Sequence, residues 1–211
     1  MKNANTPTRF TRSMTGLALL AALAFPALPA AAADAYHIQT GNPAGNYQID
    51  PVHSMVTFTV GHLGVSELVG RFDTISGSFS LDSANSDQAR VSVQIPIDSL
   101  DTNFAQRNKD LLGPDYFNAT QFPTMSFTST KVQWQSRNAG QLTGNLTLHG
   151  VTRPVTFNIR RIGAGPDPWG GYRSGYVATT TIKRSDFGMN YMLNGISDSI
   201  LVQLNIEGKR Q

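Results

Sequence analysis

The chain has 211 residues, with seventeen Lys and Arg, fourteen Asp and Glu, and no cysteine. The missing cysteines exclude disulfides, thiolate metal sites and cysteine nucleophiles in one step, so the fold has to hold by packing. A net charge of +3 does not support a nucleic-acid reading, because phosphate binding needs a clustered basic surface, and adjacent pairs such as Arg160-Arg161 and Lys183-Arg184 read as solvated charge at strand ends.

Residues 1–33 read as an export signal. Lys2, Arg9 and Arg12 precede an apolar run over 17–25, and "PALPAAAADA" then offers small residues for cleavage after Ala33. The apolar run is too short to span a bilayer. Removing the signal takes away three of the basic residues and leaves about 178 residues of formally neutral chain, enough for one domain with a sizeable core. The expected destination is the periplasm. No later stretch is apolar for 18 residues, so no anchor is expected. Residues 34–46, polar and glycine-containing, read as a flexible lead-in to a domain over 47–211.

From there a period of two recurs between turn residues, the mark of an all-β domain. Val56, Phe58 and Val60 share a face of "YQIDPVHSMVTFTVGHLG". Ile75, Phe79 and Leu81 follow in "TISGSFSLD", where Gly77 marks a bend or a close contact. Val91, Val93, Ile95 and Ile97 alternate with polar residues and Pro96 in "RVSVQIPI". The interval "SLDTNFAQRNKDLLGPDYFNATQFP" breaks the pattern and predicts a short helix at about 104–112, capped by Asp101 or Thr102 and stopped at Gly113-Pro114, with a turn near 115–118.

Met125 and Phe127 lie on one side of "TMSFTSTKV". Leu146 and Leu148 lead into a His149-Gly150 turn, and Val155, Phe157 and Ile159 leave it as the second arm of a hairpin. The Gly- and Pro-rich stretch over 161–175 reads as a long hairpin tip. Tyr176, Ala178, Thr180 and Ile182 precede a last strand in which Ile200, Val202, Leu204 and Ile206 alternate strictly. The total is about eight antiparallel strands. Periodicity alone does not choose among a sandwich, a filled barrel and a hollow one.

Four separated motifs add to this reading. They are the Asp-Pro-x-His-Ser opening, the Tyr-Phe-x-x-x-x-Phe-Pro segment, the Leu-Thr-Leu-x-Gly-x-Thr-x-Pro-Val hairpin and the Arg-Ser-Asp-Phe-Gly turn. In order, over about 47–208, they resemble the YceI-like family of bacterial periplasmic proteins. The resemblance implies a lipocalin-like antiparallel barrel with a short helical insertion that binds a polyisoprenoid or similar long amphiphile, such as a polyprenyl phosphate or a quinone tail. It also implies a binding protein and not an enzyme, with no cofactor beyond the bound lipid. Relatives fused to, or encoded beside, cytochrome b561-type membrane proteins make such a cytochrome an expected partner, with quinone handling or stress response as the setting and a homodimer as an open assembly. One departure stands out: where the family commonly has Asp directly after Arg107, this chain has Asn108.

A hollow barrel would be lined by Val56, Phe58, Val60, Phe79, Val93, Ile95, Met125, Phe127, Leu146, Leu148, Phe157, Tyr176 and Met189. His62 shares the parity of Val56 and points inward at its strand's end, either toward a head group or into a backbone hydrogen bond. Arg184, Asp186 and Tyr191 are candidates for the rim, with Arg184 meeting an anionic head group or clamping the turn through Asp186; Arg71 and Arg107 are similar, weaker rim candidates. Loop residues Trp169 and Tyr172 either guide a partner or cover the end of the core. His53 has the opposite parity to His62, and His37 and His149 lie elsewhere, so no metal set is expected. Ser54 beside His53 on a strand would face the other way, and no nucleophile elbow occurs, so no catalytic group is expected.

Overall fold

The structure is a computed structural model, and it describes residues 40–82 and 86–211. The expected export signal over 1–33 and the first part of the lead-in, His37 included, lie outside the described residues.

The alternating residues form eleven strand segments in one antiparallel sheet. Three pairs of segments are halves of bent strands. β1 (Gly45–Ile49) continues as β2 (Met55–His62), β3 (Ser66–Phe72) as β4 (Ser76–Leu81), and β5 (Arg90–Pro96) as β6 (Leu100–Asp101). The long strands β7 (Thr124–Trp134), β8 (Ala139–Leu148), β9 (Val151–Pro166), β10 (Tyr172–Lys183) and β11 (Ile196–Arg210) bring the total to eight. Each strand pairs with its neighbour in sequence, and the last returns to the first: Tyr47 of β1 faces Arg210, and Val56 of β2 faces Leu204. The sheet is therefore a closed up-and-down barrel, and closure removes the free edges that would otherwise invite pairing with other chains.

Parity sorts the residues as the sequence predicts. In β5, Val93 and Ile95 are buried, while Arg90, Ser92 and Gln94 are exposed. Apolar side chains thus face inward and polar ones face water, the reverse of a membrane barrel, whose outer band is apolar. Gly77 makes the expected close contact, since a Cβ there would collide with the Ser92 carbonyl of the next strand. His149 and Gly150 both have positive φ, 51° and 73°, as a two-residue type I′ hairpin requires.

Five local readings need correction. Ile97 leaves the strand for a 3-10 turn over Ile97–Ser99, although it stays buried. The helix α1 (Ala105–Leu112) forms where expected, but Phe104 is its N-cap and gives no side-chain cap. Instead Asn108 reaches back, its Oδ1 accepting from Thr102 N at 2.8 Å and Thr102 Oγ1 at 2.6 Å.

The hairpin tip shrinks from 161–175 to about five residues, because ladder pairing continues to Pro166 opposite Tyr172; small residues there weaken the local strand signal without breaking the ladder. The described part of the lead-in is tied down: Gly41 N donates to Ala164 O at 2.7 Å, and Tyr172 and Arg210 both donate to Asn42 O. Nor are the basic pairs fully solvated, since Arg184 is buried and the Arg161 guanidinium lies over Trp134 at 4.9 Å.

An apolar lumen as the candidate functional site

Three phenylalanines decide whether the barrel is solid. The ring of Phe58 lies where a Cβ of Gly70 would stand, the ring of Phe127 covers Gly144, and that of Phe79 covers Gly208. Gly70 and Gly144 sit on the inner face of the adjacent strand, and Gly208 lies one strand further, across β1 from Phe79. The rings therefore lie flat against the wall instead of crossing the axis, and aromatic-on-glycine pairing of this kind also knits adjacent strands.

What remains inside is a cavity of about 260 Å³, many times the roughly 10–15 Å³ that one water needs. All fourteen wall positions named from the sequence, Val56 through Met189 with His62, line it. Sequence reasoning left Leu68, Phe72, Phe117, Val202 and Leu204 off the wall, yet they line it too; the period of two in "SELVGRF" was the available signal for the first two. Apolar walls without hydrogen-bonding partners do not hold ordered water but do accept hydrocarbon.

The two ends differ. At one, Tyr47 stacks on Phe79 at 4.7 Å, Phe79 meets Tyr176 edge-on at 5.6 Å, and Trp134 lies 6.5 Å from Tyr176, with Arg161 over both of the latter rings. These stacked rings plug that end. At the other, the helical insertion contributes Arg107, Leu111, Tyr116 and Phe117, and the solvent-exposed His62 also lines the cavity, so the lumen reaches water there. The His62 ring makes no hydrogen bond among the described residues, which leaves the backbone-bonded alternative without support.

The rim candidates fare differently. Arg184 lines the lumen but is committed to the backbone: Nη1 donates to Met189 O at 2.7 Å and Tyr191 O at 2.8 Å, Nη2 to Ile196 O at 2.8 Å, and Nε to Ser197 O at 3.0 Å. Burial lowers its pKa, while the nearby Asp198 acts in the opposite sense. It is a clamp, but Asp186 is not its partner. Asp198 holds the turn instead, accepting from Ser185 N and Oγ, both at 2.9 Å. Asp186 and Tyr191 are exposed and do not line the lumen. Arg71 lies on the outer face between Asp73 at 2.6 Å and Asp101 at 2.8 Å. Trp169, 77% exposed, does not cover the core, whereas Tyr172 stacks against Arg210 at 3.6 Å.

A polar cluster sits at the joint between β1 and β2, around the His53 and Ser54 that gave no metal set or catalytic group from sequence. Asp50 is buried; its carboxylate takes Arg173 Nη1 at 2.7 Å, Lys209 Nζ at 3.0 Å, Val52 N at 3.1 Å and lies 2.9 Å from His53 Nδ1. Arg173 also binds Asp167 at 2.8 Å and Glu207. Burial alone would raise the Asp50 pKa, but hydrogen bonds from His53, Arg173 and Lys209 outweigh it and hold the carboxyl below the usual range. Asp50, His53 and Glu207 are close enough to share a cation, but Arg173 and Lys209 already neutralise those carboxylates. His53 and Ser54 lie in a turn and not on a strand. Ser54 Oγ is engaged by the Glu207 backbone, donating to O at 3.3 Å and accepting from N at 3.0 Å. The cluster fastens the barrel seam.

The family model for the YceI-like domain matches residues 47–208. The chain belongs to the YceI-like family. A UPF0312 protein of Pseudomonas aeruginosa is 44% identical over 170 residues, covering 80% of this chain and 88% of that protein. Among solved structures, the Campylobacter jejuni YCEI protein is 28% identical with a TM-score of 0.66, covering 72% of this chain and 90% of its own. A polyisoprenoid binding domain from Saccharophagus degradans shares the fold at 18% identity and a TM-score of 0.58, covering 78% of this chain and 98% of its own. The YceI-like motifs quoted from the sequence fall on the seam turn, the helical insertion, the β8–β9 hairpin and the Arg184 clamp, so they mark the joints of the barrel.

Proposed function

We propose that this protein is an exported, non-enzymatic carrier that holds the tail of a long isoprenoid lipid in its lumen, in the periplasm. The observation that carries the reading is the lining itself: an apolar cavity, kept open by rings folded over glycines, with one end plugged and one reaching water. A solved relative of the same fold is described as a polyisoprenoid binding domain. Energetics agree. Each sequestered CH₂ contributes about 0.8 kcal/mol, so ten carbons amount to roughly 8 kcal/mol before ordering costs. A polyprenyl phosphate or a quinone tail would both meet this requirement, and delivery to a cytochrome b561-type membrane protein, in quinone handling or stress response, would be a natural use.

The test is native mass spectrometry of protein purified from its own host's periplasm. A near-stoichiometric long-chain lipid is expected. Protein recovered from that compartment with an empty lumen, and failing to take up a C20 prenyl alcohol in vitro, would end the carrier reading.

A further inference from the structure

We propose that Arg107 recognises the polar end of the bound lipid, and that this end is an oxyanion, a phosphate or diphosphate, in preference to a neutral ring. The inference rests on the carrier reading above and names what that reading leaves open.

Away from its open end the lumen wall carries no charged side chain, so a ligand's charged head must stay at the mouth while its tail is buried. Two guanidinium groups are among the residues lining the lumen, those of Arg107 and Arg184. Arg184 already donates to four backbone carbonyls that would be orphaned if it turned to a ligand.

Arg107 is in the opposite position. Its Nε donates to Thr102 Oγ1 at 2.9 Å and its Nη2 to Thr102 O at 2.6 Å, which fixes the plane of the group. Nη1 has no hydrogen-bond partner among the described residues, and no carboxylate pairs with the side chain there. The neighbouring side chain that could have supplied one is Asn108, an amide turned toward Thr102 and Asp101. Asp101 is itself engaged by Arg71 at 2.8 Å, and Asp110 accepts from Gln106 at 2.8 Å. A half-buried guanidinium, held rigid and with unused N–H groups at the mouth of a greasy tunnel, is a preorganised site for a phosphoryl oxygen. A neutral quinone carbonyl would leave the charge uncompensated.

Three probes test this on the purified protein: geranylgeranyl phosphate, geranylgeraniol and inorganic phosphate. The wild type is expected to bind the prenyl phosphate about tenfold or more tightly than the alcohol. Arg107→Gln should erase that difference, bringing the prenyl phosphate's affinity down to the alcohol's as measured in the same variant. Arg107→Lys should keep a reduced, salt-sensitive part of it, since an ammonium lacks the planar fork.

Equal wild-type affinity for the two prenyl ligands, a preference that survives in Arg107→Gln, or tight binding of inorganic phosphate alone would each overturn the assignment. In those cases the alcohol still binds and the carrier reading stands. If neither prenyl ligand binds, both fail together. Should Arg107→Gln not fold, the wild-type comparison and Arg107→Lys decide the matter.

Discussion

Phe58 and Gly70 are directly paired across β2 and β3, and the phenyl ring occupies the space a side chain on the glycine would need. All three of the nearest atoms to a Cβ at Gly70 belong to that ring, so a larger residue must displace the ring and not the backbone. Gly70→Val is expected to swing Phe58 toward the axis, lower stability by about 1–3 kcal/mol and abolish tail binding. Adding Phe58→Ala should restore space and recover binding. Thermal denaturation and prenyl-alcohol titration of the single and double variants check this; independent, additive effects would disprove the pairing.

Phe127 plays the same part against Gly144, at mid-wall and 7% exposed. In a hollow barrel an arginine there can lie along the lumen with its head toward water. Phe127→Arg is therefore expected to strip copurifying lipid from the protein while folded yield is kept. Comparing lipid content with the yield of folded protein checks the outcome. A solid core would show the opposite, with yield collapsing alongside lipid.

Arg184 stitches the loop after the 3-10 turn to the start of β11 through four carbonyls. Arg184→Ala leaves buried acceptors without donors and should cost about 3 kcal/mol or more. Arg184→Lys should recover only part of this, because a single ammonium cannot span the fork. Hydrogen exchange should show faster opening of residues 189–197 in both variants, with the wall strands unchanged.

Acid stability should depend on Asp50. Its carboxyl titrates below the ordinary aspartate range in the folded state, because its hydrogen-bond donors outweigh burial. A depressed folded pKa contributes stability that is present above the unfolded value of about 3.9 and is lost as pH falls through the folded value. Stability is thus expected to drop as pH falls below about 4, with Asp101, Asp167 and Asp198, also depressed, acting in the same direction. Asp50→Asn should cost about 3–5 kcal/mol at neutral pH and flatten part of the acid slope. Urea denaturation between pH 7 and pH 3 checks both; a slope as steep as the wild type's would rule out this role.

Much of the barrel was legible in the sequence because strand parity is a local property. A period of two assigns Val56, Phe58, Val60 and Val93 to one face wherever the neighbours lie, and Pro and Gly mark most turns. What was missed depends on partners distant in sequence. The seam at Asp50 needs Arg173 and Lys209 from the other end of the chain. The described lead-in is held by Ala164, Tyr172 and Arg210, and the clamp on the Arg184 turn uses Asp198, although Asp186 is nearer in sequence.

By itself the sequence determined a cysteine-free, eight-stranded antiparallel domain with its apolar residues turned to one side, and named part of the wall. Only the tertiary structure decided that the wall encloses space. Alternation says that Phe58, Phe79 and Phe127 point inward; whether they meet at the axis depends on which residue of a nearby strand lies beneath each ring. Register sets that residue, and in all three cases it is a glycine, on the adjacent strand for Phe58 and Phe127 and one strand further for Phe79.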